Sequence, residues 1–392
     1  MKFARTGAAL IAALSVALAA CTGTGASSPS PAGASTAASP SPAASASAAA
    51  SPSAGAMTKV KFQLQWVAQA QFAGYYAALD QGYYKDEGLD VSFLLGGPQV
   101  DNINAVAVNT ADIGTGWLPK MLQSRENGTD LVSIAQVFQR SGTRMASFKS
   151  KNITTINDFH GKKIGSWLLG NEPELFAALT KAGFDPTKES VIKQNFDMSG
   201  LLKGDLDVAQ AMIYNEYAQV LEAKNPQTGQ LYQPTDFNVL DFNDPAVGTA
   251  MLQDQIFARD SWLKQGNNQD VATRFLKASF KGWAYCRDNQ QKCVDLVLKA
   301  GSQLGASHQA WQMNEINALI WPSPNGVGVL DQKLWDQTIQ IATTYKILKA
   351  APTAGAYRTD LAQAAVTALG TSVETKGANF QKQTVTLNPG GN

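Results

Sequence analysis

The chain has 392 residues, with 32 Lys and Arg against 31 Asp and Glu and 44% hydrophobic residues. The basic residues are dispersed and form no stripe of the kind that binds nucleic acid. From about Lys59 onward the chain is long enough for two lobes with substantial cores, and no apolar run there approaches transmembrane length.

Read in chain order, Lys2 and Arg5 supply a positive start, and Ala8 to Leu18 form an apolar stretch of the length of an export signal. The stretch ends in Leu18-Ala19-Ala20-Cys21, which resembles the bacterial lipobox. That motif implies a signal segment over residues 1–21, diacylglycerol on Cys21, and an extracytoplasmic protein anchored to the cell membrane rather than spanning it. The plainer alternative is a buried or disulfide cysteine behind a cleaved signal. Residues 22–57 are almost wholly Ser, Ala, Pro, Gly and Thr. This composition predicts a disordered linker with a reach of roughly 30–35 Å.

Lys59 to Trp66 alternates polar and apolar residues and reads as a strand. A helix is predicted over Phe72 to Lys85, a strand over Leu89 to Leu95, a helix over Gln99 to Asn109, a short strand around Ile113 and a helix from Leu118. Gly161 to Trp167 repeats the opening: a strand ending in Trp, a polar loop, and a helix from about Glu172. The order turn, strand, loop, helix recurs between Asn109 and Trp117 and again between Gly204 and Glu216. Alternation at this spacing predicts an α/β fold of two lobes, each a mainly parallel sheet flanked by helices. Residues 58–148 plus 250–350 are assigned to the first lobe and 149–249 to the second, with crossings near Arg144 to Ser150 and Asp244 to Met251. Residues 351–392 are left as a C-terminal extension.

Cys286 and Cys293 lie too far apart for a disulfide on one continuous helix, but Arg287 to Lys292 reads as a helix end and a new start that folds them together. A structural disulfide between Cys286 and Cys293 is expected, with two free thiols as the alternative. Metal binding is not expected, because no His lies nearby.

In open parallel sheets ligands lie beyond the carboxyl ends of the strands. The loops at those ends carry Trp66, Gln69, Gln71 and Phe72, then Trp117, then Trp167, Asn171 and Glu172, and finally Tyr214, Asn215 and Glu216. Carboxamides and carboxylates among aromatic faces suit a planar heterocycle with N–H groups better than a small anion. Each residue also has a plainer role. Trp66 and Trp167 would serve as core caps at strand ends, Glu172 and Glu174 as acids favoured in a first helical turn, and Asn215-Glu216 as a helix start.

Gln65-Trp66, Gln71-Phe-Ala-Gly-Tyr-Tyr-Ala-Ala78, Gly82-Tyr-Tyr-Lys-Asp-Glu-Gly-Leu-Asp-Val91, Ala111-Asp-Ile-Gly114 and Asp158-Phe-His-Gly-Lys-Lys-Ile-Gly165 resemble substrate-binding proteins of the alkanesulfonate, nitrate and thiamine-precursor importers. The likeness is greatest to binders of the thiamine pyrimidine precursor and to relatives assigned to riboflavin uptake. It implies the type II periplasmic-binding-protein fold, hinged closure on a small ligand, no cofactor, a monomer, and delivery to an ABC permease with its ATPase. A receptor for an alkanesulfonate, taurine or nitrate is the alternative within the family. Among other classes, the family's eukaryotic pyrimidine-making enzymes use a cysteine-rich motif that this chain lacks. A hydrolase would have to recruit His160 or His308 without a nucleophile elbow, and an adhesive lipoprotein is a third class.

Overall fold

The period-two run after residue 58 forms the first strand of a doubly wound sheet. The computed structural model describes residues 56–391, so the predicted signal, Cys21 and nearly all of the linker lie outside the described residues. The first lobe runs β1 (Thr58–Gln63), α1 (Ala73–Asp80), α2 (Tyr83–Asp86), β2 (Leu89–Leu94), α3 (Asn102–Ala107), β3 (Ile113–Trp117), α4 (Leu118–Glu126) and β4 (Leu131–Gln136). The second runs β5 (Thr143–Phe148), β6 (Ile164–Ser166), α5 (Pro173–Lys181), β7 (Val191–Lys193), α6 (Ser199–Leu202), β8 (Val208–Met212), α7 (Glu216–Glu222) and β9 (Phe237–Asp241). The chain then returns through β10 (Asp254–Arg259), α8 (Asp260–Leu263), α9 (Asn268–Asp288), α10 (Gln290–Lys299), α11 (Ala306–Ile320), α12 (Gln332–Thr344) and α13 (Asp360–Leu369).

The two sheets have the same plan. One is ordered β2-β1-β3-β10-β4 and the other β7-β6-β8-β5-β9. In each, three strands pair in parallel, and the fourth position is an antiparallel strand supplied by chain that has just crossed from the other lobe. The first crossing is therefore residues 137–142, not Arg144 to Ser150, and the second lobe begins at about residue 143 rather than 149. Thr143–Phe148 is consumed as the inserted strand, its Met145 and Ala146 buried on opposite faces. The second crossing, residues 242–253, contains the predicted Asp244 to Met251.

Both faces of the first sheet are covered. Phe62, Ile113 and Ile256 pack on the side of α1 and α9, while Phe257 packs with α3, α4 and α12 on the other. The single helix predicted over Phe72 to Lys85 is broken at Gly82, whose φ of 74° is the left-handed conformation that glycine adopts at no steric cost. Before that break α1 lies unusually close to α9: a Cβ on Gly282 would stand 2.0 Å from the Gly74 carbonyl oxygen, and one on Gly74 would stand 2.2 Å from the Trp283 ring. Gly282→Ala is accordingly expected to force the helices apart, lowering unfolding stability by about 2–3 kcal/mol, measured as a drop in denaturant midpoint; an unchanged midpoint would mean the contact is not tight.

Cys286 and Cys293 are joined as a disulfide across the α9–α10 break, with Cα atoms 5.5 Å apart. Non-reduced peptide mapping should find the two in one linked fragment, and alkylation of both thiols without reductant would contradict the pairing. The segment read as an extension is part of the fold. Its α13 packs on α9 and β4, and Gly377 lies against Trp321. The chain then follows α11, with Asn314 and Gln383 exchanging two hydrogen bonds, to place Leu387 on the second lobe.

Candidate functional site

A cavity of about 330 Å³ opens between the lobes at the carboxyl ends of the parallel strands. Equivalent strands supply equivalent walls. The chain beyond β1 brings Trp66, Gln69 and Gln71, and the chain beyond its counterpart β6 brings Trp167 and Asn171. Trp117 ends β3, and Tyr214, Asn215 and Glu216 follow its counterpart β8. Of the residues singled out in the sequence, Phe72 and Glu172 do not line the cavity. Phe72 is buried in the first lobe's core beneath it, and Glu172 turns back to accept the Gly170 N–H at 3.0 Å.

The local reasons for these placements are tertiary. The helical turn that carries Gln71 has no side-chain cap of its own; instead Gln309 and Gln312 of α11 accept the N–H groups of Ala70 (2.7 Å) and Gln71 (3.1 Å). Gln69 donates to the Gln71 side-chain oxygen (2.9 Å), and Gln71 donates to Asp254 (2.6 Å). On the other jaw, Gln210 donates to the Asn171 carbonyl at 2.6 Å and fixes that loop. Pro173 starts α5 at the position where a missing N–H costs nothing.

Trp117, Trp167 and Tyr214 are almost fully buried, and the second lobe's Trp167, Met212 and Tyr214 belong to one buried cluster with the first lobe's core. Trp167 is thus both a core side chain and a cavity wall, because the lobes are closed on one another. Phe196, which nothing in the sequence marked, sits between the jaws. Its ring centroid is 4.7 Å from that of Trp66, and 6.5 Å from that of Trp167 with the planes 5° apart. The sequence reading also missed the 97–102 loop, Lys120, Leu169, Gly170 and Met212, which complete the wall.

The charged lining residues are Asp101, Lys120 and Glu216. Lys120 Nζ stands 3.7 Å from Asp101, while Glu216 is buried. Glu216 accepts the Met212 N–H (3.0 Å) and the Asn215 amide (2.8 Å), yet burial outweighs these bonds and pushes its carboxyl above the usual range. Burial likewise pushes the Tyr214 hydroxyl well up. The indole N–H groups of Trp117 and Trp167 and the side-chain oxygen of Gln65 are buried without hydrogen-bond partners; the Trp117 indole faces the Asp254 carboxylate outside bonding geometry. Unpaired buried donors of this kind cost about 1–3 kcal/mol each.

Among the described residues, no group of three or more His, Cys, Asp and Glu could hold a metal ion, and no helix is long and apolar enough to cross a membrane. His160 is exposed, stacks on Phe184 and has its Nδ1 3.0 Å from Glu189.

The family model described as NMT1/THI5 like matches residues 69–293. The formylaminopyrimidine-binding protein of Halalkalibacterium halodurans is 20% identical over 286 residues, 71% of this chain and 83% of its own. The riboflavin-binding protein RibY of Chloroflexus aurantiacus is 25% identical over 312 residues, 75% of this chain and 83% of its own. The relatives include a 4-amino-5-hydroxymethyl-2-methylpyrimidine phosphate synthase of Legionella pneumophila, 20% identical over 247 residues, 63% of this chain and 75% of its own. Among solved structures, the periplasmic aliphatic sulphonate binding protein SsuA of Escherichia coli superposes with a TM-score of 0.54 at 16% identity, covering 85% of this chain and 97% of its own, which establishes the fold.

Proposed function

The chain belongs to the NMT1/THI5-like family, and on that premise we propose that it is the extracytoplasmic ligand receptor of an ABC importer. It captures a small planar heterocycle, a thiamine pyrimidine precursor or a flavin, between its lobes and presents the closed form to a permease driven by a cytoplasmic ATPase. The observation that carries this reading is the cavity wall: three tryptophans from both jaws around one buried carboxylate, Glu216. Aromatic faces stack a flat ring, and the carboxylate accepts its N–H groups. An anion receptor needs a free cation or converging donors. Here the one lining cation, Lys120, is opposed by Asp101, so the same lining argues against a sulfonate or nitrate.

The chain acts as a receptor rather than an enzyme in this reading, although pyrimidine phosphate synthases are among its relatives. Its cysteines are Cys21, Cys286 and Cys293 only, the last two paired with each other, so no cysteine cluster is available at the cavity. Protein purified without denaturation should carry a heterocycle detectable by native mass spectrometry, or gain one when incubated with riboflavin or 4-amino-5-hydroxymethyl-2-methylpyrimidine. A protein that gains only taurine or nitrate would overturn the ligand class while leaving the receptor role.

The receptor works as a monomer tethered through a lipid on Cys21. Cys21→Ser is expected to abolish incorporation of labelled fatty acid and to release the protein from the membrane fraction. Full membrane retention with label intact would reject the anchor.

A further inference from the structure

Helix α11 runs behind the cavity and touches both jaws. Gln309 and Gln312 hold the first lobe's ligand loop as described, and Trp311 donates its indole N–H to the Ile213 carbonyl of the second at 2.9 Å. Beside them lies His308, which has no exposure to solvent. Its Nε2 is 2.9 Å from Asn215 Oδ1, and its Nδ1 is 2.9 and 3.0 Å from the two carboxylate oxygens of Glu222 at the far end of α7. Gly391 of the C-terminal segment closes this pocket, since a Cβ there would stand 3.4 Å from Glu222 Oε2.

The orientation of each member follows from its neighbour. Asn215 donates its amide nitrogen to Glu216 Oε1 at 2.8 Å, so the atom it turns toward His308 is its oxygen. An oxygen accepts only, so His308 Nε2 is the nitrogen that donates to Asn215, and Nδ1 is the one that faces the Glu222 carboxyl group. The ring is thereby fixed at one end by Glu222 and fixes Asn215 at the other. Asn215 and the Met212 N–H between them hold both oxygens of the cavity carboxylate.

We propose that His308 is the positioning residue of the ligand site: through Asn215 it sets the direction in which Glu216 offers its remaining lone pairs to a ligand N–H. The proposal rests on Glu216 as a ligand-binding group. It assigns a role to a helix outside the strand-end loops, and it makes the Glu222-His308-Asn215 row part of the specificity apparatus rather than a satisfied core.

The chain has two histidines, so the imidazole nitrogen NMR spectrum of the labelled full chain contains two rings, and His160→Gln assigns them. Nε2 of His308 is expected to bear a proton; a bare Nε2 overturns the proposal without any ligand. His308→Leu should then expose the Asn215 side-chain amide to faster hydrogen exchange while the α7 backbone keeps its protection, and unchanged Asn215 exchange also overturns it. With riboflavin or 4-amino-5-hydroxymethyl-2-methylpyrimidine as probe, His308→Leu should weaken binding by about tenfold, and His308→Gln, which keeps a donor toward Asn215, by much less. In the Glu216→Gln background the Leu substitution should cost less than about twofold. An equal loss in both backgrounds marks His308 as merely structural. Binding of neither probe by wild type defeats the ligand reading and leaves the Nε2 proton and the amide exchange to decide the role of His308; if His308→Leu fails to fold, the Nε2 proton of the wild-type protein decides it.

Discussion

Trp167→Ala and Glu216→Gln are each expected to lower the heterocycle affinity of the folded protein by tenfold or more. Trp167 lines the cavity with its ring parallel to that of Phe196, and stacking of a flat ring on such a face is worth about 1–3 kcal/mol. Glu216 is the one buried carboxylate among the lining residues, and loss of a buried acceptor costs a further 1–3 kcal/mol. The pH dependence has a definite sign. A ligand N–H needs the ionised carboxylate, and burial raises the pH at which Glu216 gains its proton. Affinity should therefore fall as the solution is acidified through that raised value, and Glu216→Gln should flatten the profile. Unfolding curves run alongside separate this from a stability defect, since a Trp that only packs would lower the melting temperature and spare the affinity of the folded protein.

The second large effect is expected at the hinge. Glu174, two residues into the α5 start, is buried where both crossings meet. Its carboxylate accepts from Ser141 of the first crossing (3.0 Å) and from the Met251 N–H (2.7 Å) and Gln253 (3.0 Å) of the second. Burial nevertheless pushes it up to about 7, against these donors and the nearby Arg144. Burial pushes Asp254, at the start of β10, to about 7 as well. Both values lie above those of an unfolded chain, so folding favours the protonated forms. Their contribution is complete below about pH 4 and is lost as pH rises through about 7. For Glu174 this is on the order of 3 kcal/mol, a fall in melting temperature on the order of 5 °C between pH 5 and pH 8. Glu174→Gln should remove its share of that slope. A melting temperature that climbs steadily from pH 5 to pH 8, with the same slope in the variant, would contradict the protonated hinge.

The parts of this architecture that were legible in the sequence were those with a local signal. The alternation of Lys59 to Gln63 and the repeat of a strand followed by Trp gave two lobes and faced Trp66 and Trp167 across one cleft. The same logic missed β5, because Thr-Arg-Met-Ala-Ser-Phe has neither clean alternation nor a flanking turn that separates it from the crossing. It becomes a strand only because the second sheet has a slot between β8 and β9. Glu172 and Glu174 illustrate a different limit. Both suit a helix N-terminus, and only the burial of α5 against the crossings decides that Glu174 turns inward while Glu172 stays on its own loop. Phe196 is a lone aromatic in a polar loop, and His308 a lone histidine on a helix; their partners are more than 90 residues away for His308 and Asn215, a separation no periodicity encodes.

On the proposed reading the closed cavity holds a flat, N–H-bearing ring and not a small anion. Titration calorimetry of the wild-type protein with riboflavin, 4-amino-5-hydroxymethyl-2-methylpyrimidine, taurine and nitrate tests it most directly. One-to-one saturable heat is expected with at least one heterocycle and none with either anion, whereas saturable binding of taurine or nitrate alone would refute the heterocycle reading.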